Sequence, residues 1–431
     1  MKIVLVFFVL FVLASSCLNA QKLTADDAVG MAMKNNYGIL FSRAAADIDK
    51  ANNTAGNAGM LPGIGITGSD NYSINNVSQD LSSGVNVSSN NATSNILNAG
   101  IALDWTAFDG GKMFVTKKKL AEIETLGELR FKDDVMQTLF DVIIAYFNIV
   151  KQKQQLASYD EVINYNNERV KILKASFNAG LSPKTDLLQA QIDLNVNLEL
   201  AIGQQTLIIS VKRILNQLMG READAPFDVE DSIPLNYKPD INELNKKLFI
   251  SNPQVLSSQK EVEIARLGVK EVNALRFPEI NISAGYNFLN SSNSAGSVTS
   301  NRTYGPLIGG TITIPIYQAG NINRQVRVAK LQLQSTGYTL ESAKLEVNTQ
   351  LQNALTEFEN QQKMLAIEKE NAALVKENLD ISMYRLRLGQ TTSLEVHQAQ
   401  ESYEASHTRL INFEYITKVA ETKLKQLLGA L

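Results

Sequence analysis

Two residue types that build most catalytic and metal sites are almost missing. The chain of 431 residues has one cysteine, Cys17, and two histidines, His397 and His407. A single cysteine excludes a disulfide within the chain, and a zinc centre of the usual Cys/His kind lacks ligands. Nucleophilic catalysis with a histidine base has only His397 or His407 to draw on, and each reads more simply as an ordinary helix residue. Net charge is −3 and the pI near 5.7, so no basic excess marks a nucleic-acid partner. Beyond the N-terminus no stretch reaches the roughly 18 apolar residues of a membrane helix. If the mature chain crosses a membrane, it must do so as β-strands. No metal, cofactor or catalytic group is expected.

The N-terminus has the pattern of an export signal, residues 1–20. Lys2 supplies the positive start, Ile3 to Ala14 the apolar core, and Leu18-Asn19-Ala20 a small residue before a cut at Gln21. A rival cut exists. Leu13-Ala14-Ser15-Ser16-Cys17 resembles a bacterial lipobox, which would leave Cys17 as a lipidated first residue. Either cut takes the mature chain out of the cytoplasm.

What is present is a repeat. Gly180-Leu181-Ser182-Pro183-Lys184-Thr185-Asp186-Leu187-Leu188-Gln189-Ala190-Gln191 returns, altered, as Gly389-Gln390-Thr391-Thr392-Ser393-Leu394-Glu395-Val396-His397-Gln398-Ala399-Gln400, 209 residues on. An internal repeat fixes the architecture before single elements do. It divides the mature chain into residues 21–220, a linker at 221–240, and residues 241–431, each half repeating helix, β-hairpin, long helix and returning helix.

The long helices follow from spacing. Val135, Val142, Ile149, Leu156, Ile163, Val170 and Phe177 fall on a seven-residue line with no proline between Gly111 and Phe177. That is one face of a supercoiled helix. About seventy residues at ~1.5 Å each reach ~105 Å, too long for a compact domain. Leu187, Leu194, Ala201, Ile208 and Leu215 give the returning helix. Leu351, Phe358, Leu365, Ala372, Leu379 and Leu386, then Val396, Tyr403, Leu410, Thr417 and Leu424, repeat the pair. Gly180 and Gly389 suit left-handed helix ends. Ser182 before Pro183 reads as an N-cap, with Thr391 or Thr392 as its counterpart. Asp186 and Glu395 recur in the first turns, where acids favour the helix dipole in any case.

Four strands are expected, in two hairpins. Ile64, Ile66, Tyr72 and Ile74 alternate with Gly63, Gly65, Thr67, Ser69, Asn71 and Ser73. Ala99, Ile101, Leu103, Trp105 and Ala107 alternate with Gly100, Ala102, Asp104 and Thr106. The second hairpin sets Ile280, Ile282, Ala284, Tyr286 and Phe288 against Glu279, Asn281, Ser283, Gly285 and Asn287. Its last strand sets Ile308, Gly310, Ile312, Ile314 and Ile316 against Gly309, Thr311, Thr313 and Pro315. Period two over about ten residues is a strand signal. The apolar faces carry aromatics at their ends, as lipid-facing strands do. Ser73 to Asn98 and Asn290 to Arg302 are Asn/Ser/Gly-rich and read as exposed loops. A leading helix is expected from about Thr24 to Asn57. Four strands cannot close a membrane barrel, which needs about eight, and open edges are not tolerated in lipid. Several copies must share one barrel, and three would supply twelve strands.

Together these residues resemble the TolC-like outer-membrane efflux protein family over nearly all of the mature chain. The marks are Leu23-Thr24-Ala25-Asp26-Asp27-Ala28 with Lys34-Asn35-Asn36, and Leu61-Pro62 before the first strand. Trp105-Thr106-Ala107-Phe108-Asp109-Gly110-Gly111-Lys112 follows, and then Phe177, Gly180, Asp186-Leu187-Leu188 and Ala190-Gln191 in order. The resemblance implies a mainly α fold with membrane β: an antiparallel coiled-coil helical barrel in the periplasm plus a trimeric twelve-stranded β-barrel in the outer membrane. It implies a homotrimer set in outer-membrane lipid. Its partners would be a periplasmic membrane-fusion (adaptor) protein and an inner-membrane RND, ABC or MFS transporter. Substrates would pass unchanged, by efflux or type I secretion. The entrance would be narrowed by Thr185 and Asp186 in the first turn and by Glu395 and Gln398 in the second. Some members tie the closed entrance with a tyrosine and an arginine where this chain has Leu386 and Thr391, with Arg385 and Arg387 nearby. Gln398 stands where some members place a second aspartate. The linker, with Pro226, Pro234 and Pro239, corresponds to a belt around the tunnel. A structural coiled-coil envelope protein or adhesin is the rival reading, and it leaves the four amphipathic strands without a use.

Overall fold

The computed structural model describes residues 22–431, so the export signal, with Cys17 and the cut after Ala20, lies outside the described residues. In chain order the elements are α1 (Ala25–Asn35), α2 (Tyr37–Asn52), β1 (Gly63–Asp80), β2 (Asn86–Asp109), α3 (Lys112–Asn178) and α4 (Lys184–Leu218). After the linker come α5 (Ile241–Ser251), α6 (Pro253–Ala274), β3 (Glu279–Asn293), β4 (Ser300–Thr313), α7 (Asn321–Arg387) and α8 (Ser393–Leu427). The chain forms two compact units, each assembled from separated segments. One comprises Ala46–Glu128 and Ser257–Glu341; the other comprises Leu129–Leu256 and Ser342–Leu431 with residues 22–45.

The first unit holds one sheet, all antiparallel, in the order β1-β2-β3-β4. Residues directly opposite in a ladder share a face. Ile64, Leu103, Ala284 and Ile308 form one such row, and Ile66, Ile101, Tyr286 and Pro306 the next. The other face shows Thr67, Gly100, Asn287 and Gly305, then Ser69, Asn98, Leu289 and Thr303. The register therefore gathers the alternating apolar residues of all four strands onto one side. That side is uncovered: Ile66 is 82% exposed and Ile308 81%.

Three expectations for this unit are corrected. The stretches read as loops are mostly strand, because β1 runs to Asp80, β2 starts at Asn86, β3 reaches Asn293 and β4 starts at Ser300. Ladder pairing outweighs the composition, helped by polar side chains that bond across the hairpin: Asn86 Nδ2 to Asp80 Oδ1 at 2.6 Å and Asn91 N to Asn76 Oδ1 at 2.9 Å. Second, a bulge after Thr106 drops Ala107 from the ladder, and Phe108 pairs with Ile280. The extra residue reverses the alternation, so an aromatic replaces alanine on the apolar face. Third, β4 ends at Thr313, which leaves Ile314 and Ile316 beyond the sheet.

The turns from strand to long helix use left-handed backbone. Gly110 and Gly111 have φ of 74° and 83°, and their counterparts Ala319 and Gly320 have 49° and 72°. At Gly110 an added Cβ would lie 2.3 Å from the Ala274 carbonyl oxygen, so α3 begins hard against the end of α6.

In the helical unit the leading helix is two helices. The chain breaks at Asn36, whose backbone is extended and whose Oδ1 accepts from Gly38 N and Ile39 N, starting α2. Asn36 Nδ2 also donates to the Leu218 carbonyl at 2.7 Å, closing the end of α4. The second half repeats this joint. Asn252 Oδ1 accepts from Val255 N, and its Nδ2 donates to the Leu427 carbonyl at 2.9 Å. One side chain thus satisfies free donors of one helix and a free acceptor of another.

The heptad line of α7 is buried throughout, from Leu351 to Leu386. That of α3 is not. Val135, Val142 and Ile149 are buried, but the seam then moves to Gln155, Val162 and Arg169, leaving Leu156, Ile163 and Val170 at its margin. The shift is a single six-residue step from Ile149 to Gln155, after which the buried line again runs every seven residues. Thr417, the polar lapse of α8, is buried with its hydroxyl on the Phe413 carbonyl at 2.7 Å. The linker lies against the first described residues. Leu23 bridges Val229 in parallel, and Tyr146 OH donates to the Leu23 carbonyl while accepting from Glu230 N.

Candidate functional site

The two reversals carry the sequence-derived aperture residues and turn glycines. Both glycines adopt left-handed backbone, Gly180 at φ 73° and Gly389 at φ 69°. Each closes its helix with the same pair of bonds. Leu181 N reaches the Ser176 carbonyl at 2.8 Å and Gly180 N the Phe177 carbonyl at 2.9 Å; Gln390 N reaches Arg385 and Gly389 N reaches Leu386 at 2.8 and 3.0 Å. These are Schellman ends, in which a residue without Cβ takes the strained position.

The returning helices start differently. Thr392 caps α8, with Glu395 N on its hydroxyl at 3.2 Å. The expected Ser182 cap is not formed: the N-cap position of α4 is Pro183, without a side-chain bond, and Ser182 Oγ is buried with no partner. Proline fixes φ and starts the helix one residue later than the sequence pattern suggests.

The four candidates also separate. Glu395 is engaged: Arg385 Nη1 donates to its Oε1 at 2.7 Å and Thr391 Oγ1 to its Oε2. Arg385 also holds the Gln390 carbonyl at 3.2 Å. Asp186 has no side-chain partner among the described residues and is half-exposed, while Thr185 and Gln398 are exposed. The geometry thus leaves a free carboxylate in the first turn and a compensated one in the second. Leu386 is buried, and Arg387 pairs with Glu168 of α3.

Behind the turns sits a polar arrangement that the sequence pattern did not reveal. Arg169 is 1% exposed. Its Nη1 donates to Asp193 of α4 at 2.8 Å and to Gln400 of α8 at 3.0 Å, and its Nη2 to Ser393 of α8 at 3.0 Å. His397 Nδ1 lies 3.1 Å from the same Asp193 carboxylate. Further along α3, Glu161 accepts from Lys376 of α7 and Tyr403 of α8, and Tyr165 donates to Asp380 at 2.8 Å. Burial alone would raise the Glu161 carboxyl, but the bonds from Lys376 and Tyr403 outweigh it and hold the group below the usual range. Burial, then the Glu161 carboxylate, pushes the Tyr403 phenol up, and burial lowers His407, which stacks on Tyr403 at 4.2 Å. The only forewarning in sequence was an arginine on the α3 face, and the strict heptad line passes beside it.

No group of three or more metal-ligating side chains occurs among the described residues, and no described helix is long and apolar enough to cross a membrane.

The family described as "Outer membrane efflux protein" matches residues 28–221 and 244–430. The chain belongs to that family. Relatives include the outer membrane efflux protein BepC of Brucella suis biovar 1 (strain 1330), 24% identical over 409 residues, covering 94% of this chain and 85% of that protein. The outer membrane protein TolC of Escherichia coli (strain K12) is 24% identical over 415 residues, 90% of this chain and 79% of its own length. Among solved structures, CusC superposes with a TM-score of 0.78 at 18% identity, covering 94% of this chain and 92% of that one. VceC of Vibrio cholerae gives 0.77 at 16%, covering 94% and 96%. As a member of the family, this protein is an outer-membrane efflux protein, and its fold is that of the outer-membrane channels. The match resumes at residue 244, beyond the proline-bearing linker.

Proposed function

We propose that three copies of this chain form one passive duct, with four strands from each closing a twelve-stranded barrel. The observation that carries this reading is the sheet. Its apolar face is uncovered from the Trp105 and Phe108 end to Phe288, Tyr304 and Tyr72 near the hairpin turns. A tilted membrane strand needs about 9–11 residues, and residues 280–288 provide nine between the aromatic ends. The outer ladders of β1 and β4 are unpaired within the chain. Lipid does not tolerate such edges, and the edges of further copies satisfy them. The helices also leave a surface for another copy. Ile367, Leu374 and Ile381 of α7 form a seven-residue apolar line 62%, 57% and 52% exposed, suited to a neighbouring helix.

On this reading the half-exposed Asp186, with Thr185, Glu395 and Gln398, lines the periplasmic aperture. An adaptor and an inner-membrane pump deliver the cargo, by efflux or by secretion of the kind for which the relative PrtF of Dickeya chrysanthemi, a protease secretion protein, is named. No cofactor and no chemical conversion takes part. The test is a pair of neighbours in β1. Arginine at a lipid-facing midplane site costs about 2–4 kcal/mol. Ile66→Arg should therefore block assembly into membrane trimers, and Thr67→Arg, on the other face, should leave it largely intact. Equal losses, or the reverse order, would reject the assignment of faces.

A further inference from the structure

The helix ends beside the sheet carry a charge pattern that a duct does not need. Residues 110–121, at the start of α3, contain Lys112, Lys117, Lys118 and Lys119 and no acid. Residues 314–340, leading into α7, contain Arg324, Arg327 and Lys330 and again no acid. Arg276 lies between α6 and β3. The three segments converge: Gly110 abuts the Ala274 carbonyl, Thr116 Oγ1 donates to Glu271 at 2.6 Å, and Arg276 Nη2 donates to Asn323 Oδ1 at 2.9 Å.

Some of this charge is used locally, since Lys119 pairs with Glu271 and Lys117 binds Asn53. Six cations are different. Lys112, Lys118, Arg276, Arg324, Arg327 and Lys330 are all exposed, and none meets a carboxylate among the described residues. Four of them lie in the opening turns of α3 and α7, where the helix dipole is positive and acids are the favoured residues. Neither helix has an acid in its first turn. At α3 the Asp109 carboxylate, 3.0 Å from Met113 N, compensates that end; the first turn of α7 has no acid, so its positive end and the cations around it repel each other unless an anion from outside sits among them.

The surroundings say which anion. Phe114, Phe277 and Tyr317 are 52%, 57% and 84% exposed beside these cations, at the end of the sheet that carries Trp105 and Phe108. Aromatics with long basic side chains at the edge of an apolar belt mark the level of lipid headgroups. We infer that this basic collar binds the phosphates of anionic phospholipid in the membrane leaflet on the helical side of the sheet. The inference rests on the proposed membrane-spanning role of the sheet. Soluble phosphate does not explain the exposed aromatics, whereas a phospholipid supplies both the anion and the apolar partner.

The test measures which lipid the purified full-length protein retains from mixed micelles holding equal phosphatidylglycerol and phosphatidylcholine. Native mass spectrometry reads lipid and subunit number together. Each cation near an anionic surface strengthens binding about fivefold, so wild type should favour phosphatidylglycerol by at least about tenfold. Combined Lys112→Gln, Lys118→Gln, Arg324→Gln and Arg327→Gln should remove most of the preference at unchanged helical content and subunit number. Lys171→Gln with Lys174→Gln, exposed cations of α3 outside the collar, should retain it. Inorganic phosphate should displace the lipid no better than chloride at matched ionic strength. No preference in wild type, an undiminished preference in the collar variant, or specific displacement by phosphate would overturn the proposal. Flotation with pure phosphatidylcholine vesicles separates it from the duct reading: insertion of both proteins there leaves the duct standing whatever the collar does, and failure of wild type to insert counts against the duct itself.

Discussion

Arg169 donates to Gln400 at 3.0 Å, joining helices from the two halves of the repeat through a side chain 1% exposed. The same guanidinium holds Asp193, so the contact is a buried ion pair with a second anchor in the other hairpin. Removing one partner of such a pair strands the other charge and costs about 3–5 kcal/mol. Arg169→Met should therefore lower the midpoint of heat-induced loss of helical circular dichroism sharply. Arg169→Lys should rescue little, because an ammonium cannot span Asp193, Gln400 and Ser393 at once. A Lys variant as stable as wild type would show that charge, not the fork, matters here.

The duplicated asparagine joints give an internally controlled test. Asn36→Ala and Asn252→Ala each remove a helix cap and leave a carbonyl, of Leu218 or Leu427, without its donor. Each should cost about 1–3 kcal/mol. The two should add, since the joints share no partner. Melting of the two single variants and the double variant checks both statements.

At the strand-to-helix corners the two halves should respond unequally. Gly110→Ala brings a Cβ to 2.3 Å from a backbone oxygen, whereas Gly320, the counterpart of Gly111, is open. Gly320→Ala should cost about 1–2 kcal/mol for its left-handed backbone alone. Gly110→Ala should cost clearly more, and equal melting of the two variants would argue against the close approach of α3 to α6.

Those corners show how much could be read from the chain and where reading stopped. The four strands, their faces and the two long hairpins followed from periods of two and seven, because most of the sheet ladder and the whole α7 seam keep registry. The bulge at Ala107 and the strand extensions through Asn-rich sequence did not follow, since cross-strand bonds set them. Arg169 was missed because the buried seam of α3 steps by six residues after Ile149, off the line that marked it. At the turns, sequence placed Asp186 and Glu395 as equals, and only the structure shows Arg385 and Thr391 engaging one and not the other.

That difference has an electrical consequence on the aperture reading. Rings of like charge in a narrow pore attract cations. Asp186→Asn should weaken cation preference and polyvalent-cation block, and Glu395→Gln, which removes an already compensated charge, should weaken them less. Equal effects of both variants would mean that the Arg385 contact does not persist in the assembled entrance.

Acid should loosen the hairpin contacts. The carboxyls of Glu161 and Glu368 are raised by burial and lowered more by their hydrogen bonds, from Lys376 and Tyr403 in one case and Arg409 and Ser406 in the other. A carboxyl lowered on folding stabilises above its unfolded pKa and loses that contribution as pH falls through the folded value. His407, lowered by burial, acts in the same direction below its ordinary value of 6.5. Melting should therefore fall between pH 6 and acid conditions, and the gap between wild type and Glu161→Gln should close at the acid end. A gap that is constant with pH would remove Glu161 from the account.

The most direct test of the duct is electrical. Purified full-length protein, its subunit number set by mass in detergent, is added to a planar lipid bilayer. Three copies and discrete, long-lived, cation-preferring conductance steps are predicted, with Ile66→Arg giving none and Thr67→Arg retaining them. A verified trimer that never conducts, or a single chain that inserts stably by itself, would contradict the claim that three chains build one channel.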